Sequence, residues 1–187
     1  MEPLTPAVHL ATVHLATAGS VDASELAAIA AQTFPLACPP STPPDNIASF
    51  VDTSLSTTRF AEYLDDPQRA ILTAQHDDRI IGYAMLVRGV GDDPDVQKAV
   101  AARPAAELSK IYLLPAYHGA GVSIALMQLT LATAAEWGAR CVWLGVNREN
   151  QRAQRFYVKG GFEINGTRTF EVGGRRENDY VMVRELG

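Results

Sequence analysis

Apolar and polar positions alternate loosely from His9 to Thr17, a spacing that predicts a first strand. Asp22 or Ser20 then stands where a helix cap belongs. It precedes a stretch over Ala23–Thr33 whose Leu26 and Ile29, with Phe34 just beyond, share one side. Five of the eleven prolines fall within residues 35–44. Proline lacks the amide hydrogen that a helix interior or a central strand needs, so this segment is expected to be a loop that ends the helix. A second helical stretch, with a break, is expected over Pro44–Tyr63, anchored by Ile47, Phe50, Val51 and Phe60. Ala70–Gln75 and Arg79–Val87 are apolar runs on either side of the polar turn His76-Asp-Asp78, the pattern of a hairpin. Residues 89–106 read as a long loop with room for one helical turn.

Further on, Leu108–Leu114 predicts a strand, and Gly119–Trp137 a helix with Val122, Ala125, Leu126, Leu129 and Thr133 on one face. Cys141–Val146 is apolar throughout, as a buried strand would be. Asn150–Lys159 reads as a short helix ended by Gly160-Gly161. Phe162–Phe170 and Tyr180–Arg184 complete the set as strands joined around Gly173-Gly174. The order β-α-α-β-β-β-α-β-α-β-β predicts a mixed α/β sheet with a parallel core around residues 108–146. With no repeat and no linker between two cores, residues 1–187 are expected to form one domain.

Composition narrows the class. With 47% hydrophobic and 20% charged residues the chain has an ordinary globular makeup. No apolar run approaches the roughly 18 residues of a membrane span. No basic start followed by an apolar stretch and a cleavage site is evident, so a reduced, cytoplasmic protein is expected. Cys38 and Cys141 cannot build a disulfide scaffold, and His9, His14 and His76 lack the spacing of metal ligands, so no metal is expected. The formal charge of −5 is unevenly placed: residues 1–106 carry 13 acidic against 6 basic side chains, whereas residues 148–187 carry 8 basic against 6 acidic. An acidic first part suits a cationic ligand and a basic tail an anionic one, and nucleic acid is a poor partner for the whole.

Two segments carry chemistry. In Pro115-Ala-Tyr-His-Gly-Ala-Gly-Val-Ser123, a glycine-bearing turn runs from a strand into a helix. Such a turn can gather backbone N–H groups and the positive end of the helix dipole on a phosphate or diphosphate. It can equally be a plain strand-to-helix turn. It is not a P-loop, since no Gly-Lys-Ser/Thr follows. The second segment runs from Trp143 to Phe162 and holds Asn150-x-x-Ala153-x-x-Phe156-Tyr157-x-x-x-Gly161-Phe162.

Together these segments resemble the acetyl-CoA motifs of the GCN5-related N-acetyltransferase (GNAT) superfamily. Ile111-Tyr112 with Trp143-Leu144-Gly145-Val146 is most similar to its bacterial polyamine-type members. The resemblance implies a GNAT-like α/β fold: a mixed, mostly antiparallel sheet with a parallel, splayed central pair, flanked by helices. It also implies acetyl-CoA as co-substrate, bound through Leu113, Leu114, His118, Gly119, Ala120, Gly121, Val122, Ser123, Asn150, Ala153 and Tyr157. The chain departs from the family pattern at His118, where Arg or Gln is usual, and at Ser123, where Gly or Ala is usual.

Acetyl transfer to nitrogen needs an unprotonated amine, and an alkylammonium has a pKa of about 10.4, so a base must take the proton, directly or through water. By resemblance Glu107 is that base. The N–H of Leu113, freed by a strand bulge, is implied as the donor to the tetrahedral oxyanion. Tyr157 is implied as the acid that protonates the departing thiolate, and Asn150 as a contact of the pantetheine arm. The acceptor is expected to be a polyamine or other small amine, with Asp65, Asp66, Asp92, Asp93 and Asp95 as candidates to gather a polycation. Other readings are acetylation of an antibiotic, an amino acid or a protein amino terminus, or a noncatalytic acyl-CoA-binding regulator. Free edge strands permit either a monomer or a homodimer.

Overall fold

The computed structural model describes residues 11–172 and 174–187. Its elements in chain order are β1 (Thr12–Ala16), α1 (Ala23–Ala37), α2 (Pro44–Ser54), α3 (Thr57–Asp65), β2 (Arg69–His76), β3 (Arg79–Arg88) and α4 (Pro94–Ala99). There follow β4 (Ala105–Leu113), a 3-10 turn (Pro115–Tyr117), α5 (Val122–Glu136), β5 (Cys141–Asn147), α6 (Gln151–Lys159), β6 (Glu163–Val172) and β7 (Arg175–Glu185). One seven-stranded sheet has the order β1-β2-β3-β4-β5-β7-β6, antiparallel at every step except β4–β5. This is the mixed sheet with a parallel central pair that the element order predicts.

Several boundaries differ from the sequence reading, each for a local reason. Helix α1 runs through Pro35 to Ala37, although a loop was expected from residue 35. Proline there removes only one amide bond, in a last turn that ends anyway at Cys38, so the helix tolerates it. Asp22, not Ser20, caps α1, accepting from Ser24 N at 2.8 Å. Pro44 opens α2, where a missing N–H costs nothing. The expected break in the second helical stretch falls at Leu55, after which Ser56 caps α3 through Arg59 N. Residues 89–106 hold the single short helix α4 and the start of β4, and the final hairpin pairs from Arg175 rather than Tyr180. Of the first predicted strand, His9 and Leu10 lie outside the described residues. Asp77 and Asp78 both take positive φ, as a two-residue hairpin turn matching the strand twist requires.

The sheet is covered on both faces. Helices α5 and α6 pack on one face over Leu72, Leu86, Leu108, Leu144 and Met182. Helices α1, α2 and α3 pack on the other face over Ile71, Tyr83 and Met85, and α4 covers Trp143, Val181 and Val183. Each fully buried aliphatic side chain in these layers contributes about 1.5–3 kcal/mol by leaving water.

The register of β4 against β3 shifts once. Met85 faces Lys110 while Leu86 faces Leu108, so Ser109 is an extra residue bulged out of the ladder. The bulge changes which face each side chain meets. Ala106 and Leu108 before it, and Ile111 after it, join the α5 layer, so Glu107, Lys110 and Tyr112 come to lie on the opposite face. Strand β3 lies close against this stretch because Gly82 has no side chain. A Cβ there would sit 2.7 Å from Tyr112 O and 2.7 Å from Leu113 Cδ1. Gly82→Val is therefore expected to push β4 outward and cost about 1–3 kcal/mol as an overpacking change. A urea midpoint equal to that of the parent would show that the two strands can part freely.

Candidate active site

The parallel pairing of β4 with β5 is short. Ala105, Ala106 and Glu107 face Cys141, Val142 and Trp143, and beyond that point the strands separate. The parallel core thus lies at residues 105–107 and 141–143, not across the whole of 108–146. Because Leu114 N donates to Ile81 O at 2.9 Å, antiparallel alternation turns the amides of Tyr112 and Lys110 toward β3. Those of Ile111 and Leu113 point the other way, into the opening. Leu113 therefore presents its N–H to the cleft through this alternation, while the bulge itself sits four residues earlier at Ser109. Ile111 shares the open edge, which only the pairing phase reveals.

The turn after β4 has the geometry of an anion nest. Gly119 and Gly121 have φ of +82° and +79°, and no atom lies within 4 Å of a Cβ built on either. The N–H groups of Gly119, Ala120, Gly121, Val122, Ser123 and Ile124 have no backbone acceptor among the described residues, and the N-terminal end of α5 adds its dipole. His118 does not lean over this turn. Its Nε2 lies 3.0 Å from Leu113 O and its Nδ1 meets the Arg152 guanidinium, so both ring nitrogens have protein partners. Leu114 ends the edge, its side chain packed between the α1 layer and Val122.

Helix α6 supplies the other lip. Asn150 caps it, Oδ1 accepting from Ala153 N at 3.1 Å, which leaves the Nδ2 amide uncommitted. Ala153 packs into the α5-side core. Tyr157 stands beside Phe156 and Phe162, with ring centroids 5.6 and 5.9 Å away. Burial pushes its phenol above the ordinary tyrosine range, so it keeps its proton. Tyr112 is raised too, first by burial and then by the nearby Tyr157 phenol.

On the α1 side the cleft is lined with charge. Burial raises Glu107 above the ordinary carboxylate range, against the pull of Arg168, Lys110 and Arg69. The Arg168 guanidinium lies over Gly145, where a Cβ would fall 2.2 Å from Nη2, and pairs with Asp179 at 3.4 Å. Desolvation raises Asp179 to about 6 despite that pair. Glu177 Oε2 accepts from Asn147 at 3.3 Å, while its buried Oε1 has no hydrogen bond and lies 3.5 Å from Arg175 Nε. Phe34 and Phe50, stacked at 4.6 Å, form an apolar wall, with Phe34 edge-on to Tyr112.

Lys110, Arg152, Arg168, Glu177 and Asp179 were not singled out from the sequence, and Tyr112 was noted only for the family resemblance. Lys110 and Tyr112 fall inside the strand predicted over Leu108–Leu114, but their direction depends on the bulge. Glu177 and Asp179 belong to the basic tail, where net charge hides them. Of the aspartates considered for a polycation, Asp66 binds Gln68 N and Arg69, and Asp93 caps α4.

A parted parallel strand pair beside a free-amide turn is an architecture that other proteins share. The Acetyltransferase (GNAT) family profile matches residues 30–162, and the chain belongs to that family. An uncharacterized N-acetyltransferase of Mycobacterium tuberculosis is 68% identical over 165 residues, covering 88% of this chain and 98% of the relative. The PaiA N-acetyltransferase of Thermoplasma acidophilum, solved with coenzyme A, superposes with a TM-score of 0.73 at 18% identity, over 94% of this chain and 99% of that one. A GNAT acetyltransferase of Elizabethkingia anophelis, solved with acetyl-CoA, gives 0.59 at 17% identity, over 95% and 99%. The protein is a GNAT N-acetyltransferase, of a family that uses acetyl-CoA. No helix among the described residues is long and apolar enough to cross a membrane.

Arg168 is the cation closest to Asp179, so Arg168→Met should cost about 3–5 kcal/mol at neutral pH by stranding a buried carboxylate. Between its ordinary 3.8 and about 6, the folded chain holds a proton on Asp179 that the unfolded chain has lost. Asp179 thus erodes stability as pH rises through that window. The penalty of Arg168→Met should accordingly shrink on acidification toward pH 4, as followed by denaturant titrations.

Proposed function

We propose that the chain moves the acetyl group of acetyl-CoA directly to the primary amine of a small acceptor bound on the α1 side of the cleft. The observation that carries this reading is the free-amide turn at Gly119–Ile124 opening onto a cleft with Tyr157 on one lip and Glu107 at its closed end. The turn fits a diphosphate: its amides lack acceptors, and the space over Gly119 and Gly121 is open to a ligand's approach. The parted edge, with Ile111 and Leu113 facing outward, suits an extended amide-bearing arm, which would pair with it as an added strand does. Asn150 Nδ2 lies ready for the same arm.

Acetyl-CoA, when bound, supplies the activated acyl carbon. The chain's own groups then manage protons and charge. Glu107 takes the acceptor's proton, directly or through water, and its raised pKa brings it closer to the working pH of a general base. Leu113 N–H aims a donor where negative charge develops. Tyr157, held protonated by its surroundings, gives a proton to the departing sulfur. His118 orients the Leu113 peptide through its carbonyl, and Ser123 and Val122 contribute main-chain amides rather than side chains. One sheet running from Thr12 to Glu185 supports reading the chain as one domain.

A polyamine acceptor is the finer reading that the family resemblance suggests. The Glu107, Glu177 and Asp179 carboxylates favour a cationic amine, but Lys110 and Arg168 share the same cleft and set it against a polycation.

Tyr157→Phe should lower kcat by about 10²-fold or more, as loss of a general acid does, while leaving coenzyme A affinity in place. Thiol release with acetyl-CoA across an amine panel measures it, and an unchanged rate would remove Tyr157 from the chemistry. Glu107→Gln should abolish the rising acid-side limb of kcat/KM. In the unaltered enzyme that limb lies above the usual carboxylate range. Tight coenzyme binding with no turnover on any amine would instead favour a noncatalytic acyl-CoA sensor.

A further inference from the structure

The acceptor side of the cleft holds charges of opposite sign, a half-buried lysine on β4 and a buried glutamate on β7, that the protein satisfies only in part. Lys110, on β4 just past the bulge, has no carboxylate of the described residues within 4 Å of its ammonium. Its nearest recorded partner is the face of Phe50, 5.8 Å from the ring centroid. Glu107 attracts it from a distance, whereas Arg69 and Arg168 repel it. Across the cleft on β7, Glu177 is only 9% exposed, and its Oε1 accepts no hydrogen bond. Arg175 Nε lies 3.5 Å from that oxygen while its Nη1 donates to Ser41 O, tying the last hairpin to the α1–α2 segment, and Glu177 Oε2 accepts from Asn147.

A partly desolvated ammonium with no carboxylate beside it, and a buried carboxylate oxygen that accepts no hydrogen bond, are each costly unless a ligand completes them. The stacked Phe34 and Phe50 line the space with apolar surface. Tyr112, edge-on to Phe34, lies on β4 where the strands part.

We propose that the acceptor is an amino-carboxylate: a small zwitterion whose ammonium faces Glu107, Glu177 and Asp179, and whose carboxylate is bound by Lys110. The inference rests on the acetyl-transfer reading above and narrows its acceptor class. The carboxylate end anchors the molecule over the Phe50 ring. The amine end is thereby directed toward the carboxylates, where the proton must leave.

The test is binding, measured by thermal shift and calorimetry with coenzyme A present so that no turnover occurs. The probes are α- and ω-amino acids of increasing chain length, each paired with its own amide. The best amino acid is expected to bind about ten- to a hundredfold more tightly than its amide, the margin of a charged hydrogen bond, and Lys110→Met should erase that margin. A parallel measurement guards against a purely structural lysine. Burial lowers the Lys110 pKa from 10.5 to about 8, so the unfolded chain holds its proton between those values while the folded chain releases it. Lys110 thus destabilises the fold fully below pH 8, and the cost fades as pH rises toward 10.5. Ligand-free Lys110→Met should therefore melt higher than the parent at neutral pH, with the gain vanishing at high pH.

The proposal is overturned if amides or diamines bind as well as the amino acids, or if no pair binds at all. Retention of the carboxylate preference by Lys110→Met, or a lower melting temperature for that variant, would also overturn it. Failure of the acetyl-transfer reading shows separately, as amino-acid binding without thiol release when acetyl-CoA replaces coenzyme A.

Discussion

The parting of β4 from β5 after Glu107 and Trp143 is the constraint on which the site depends. Each strand stays paired on its outer side, β4 to β3 and β5 to β7, so the sheet is not weakened where it opens. The opening leaves main-chain groups of Ile111 and Leu113 without a strand partner in the middle of a sheet. Such groups are rare because an unmet amide is costly, and where they persist a ligand usually completes them. His118 already completes one of them at the Leu113 carbonyl, so the protein fixes the peptide's orientation before any ligand arrives.

The bulge at Ser109 couples that opening to the acceptor side. A single inserted residue moves Lys110 and Tyr112 onto the face that Glu107 occupies, and keeps Leu108 and Ile111 in the opposite core. Without it, the residues after Leu108 would change faces, and a lysine would enter the apolar layer under α5. Gly82 and Gly145 serve the same geometry from neighbouring strands, one by letting β3 approach, the other by making room for the Arg168 guanidinium. Small residues at these two points are packing requirements of the cleft.

Charge in the cleft is expensive to maintain. Glu107, Lys110 and Asp179 are all displaced from their ordinary pKa values by burial, in the direction that disfavours the charged form. A domain selected for stability alone would place apolar groups there. The distribution is asymmetric, with Lys110 and Glu107 on β4 and the paired acids on β7, so the site distinguishes one end of a bound molecule from the other.

Much of this was legible in the sequence. Apolar periodicity located most elements, the glycines marked the turn between β4 and α5, and α6 begins after Asn150 and carries Tyr157, because helix and turn geometry depend on neighbours a few residues away. Tertiary structure alone decided how far β4 and β5 run together, that the extra residue sits at Ser109, and which charged side chains share a face of the sheet with Lys110. Those outcomes depend on strand register and on segments some seventy residues apart. A slip of one position reverses every side chain, so no local pattern along the chain can specify which charges meet.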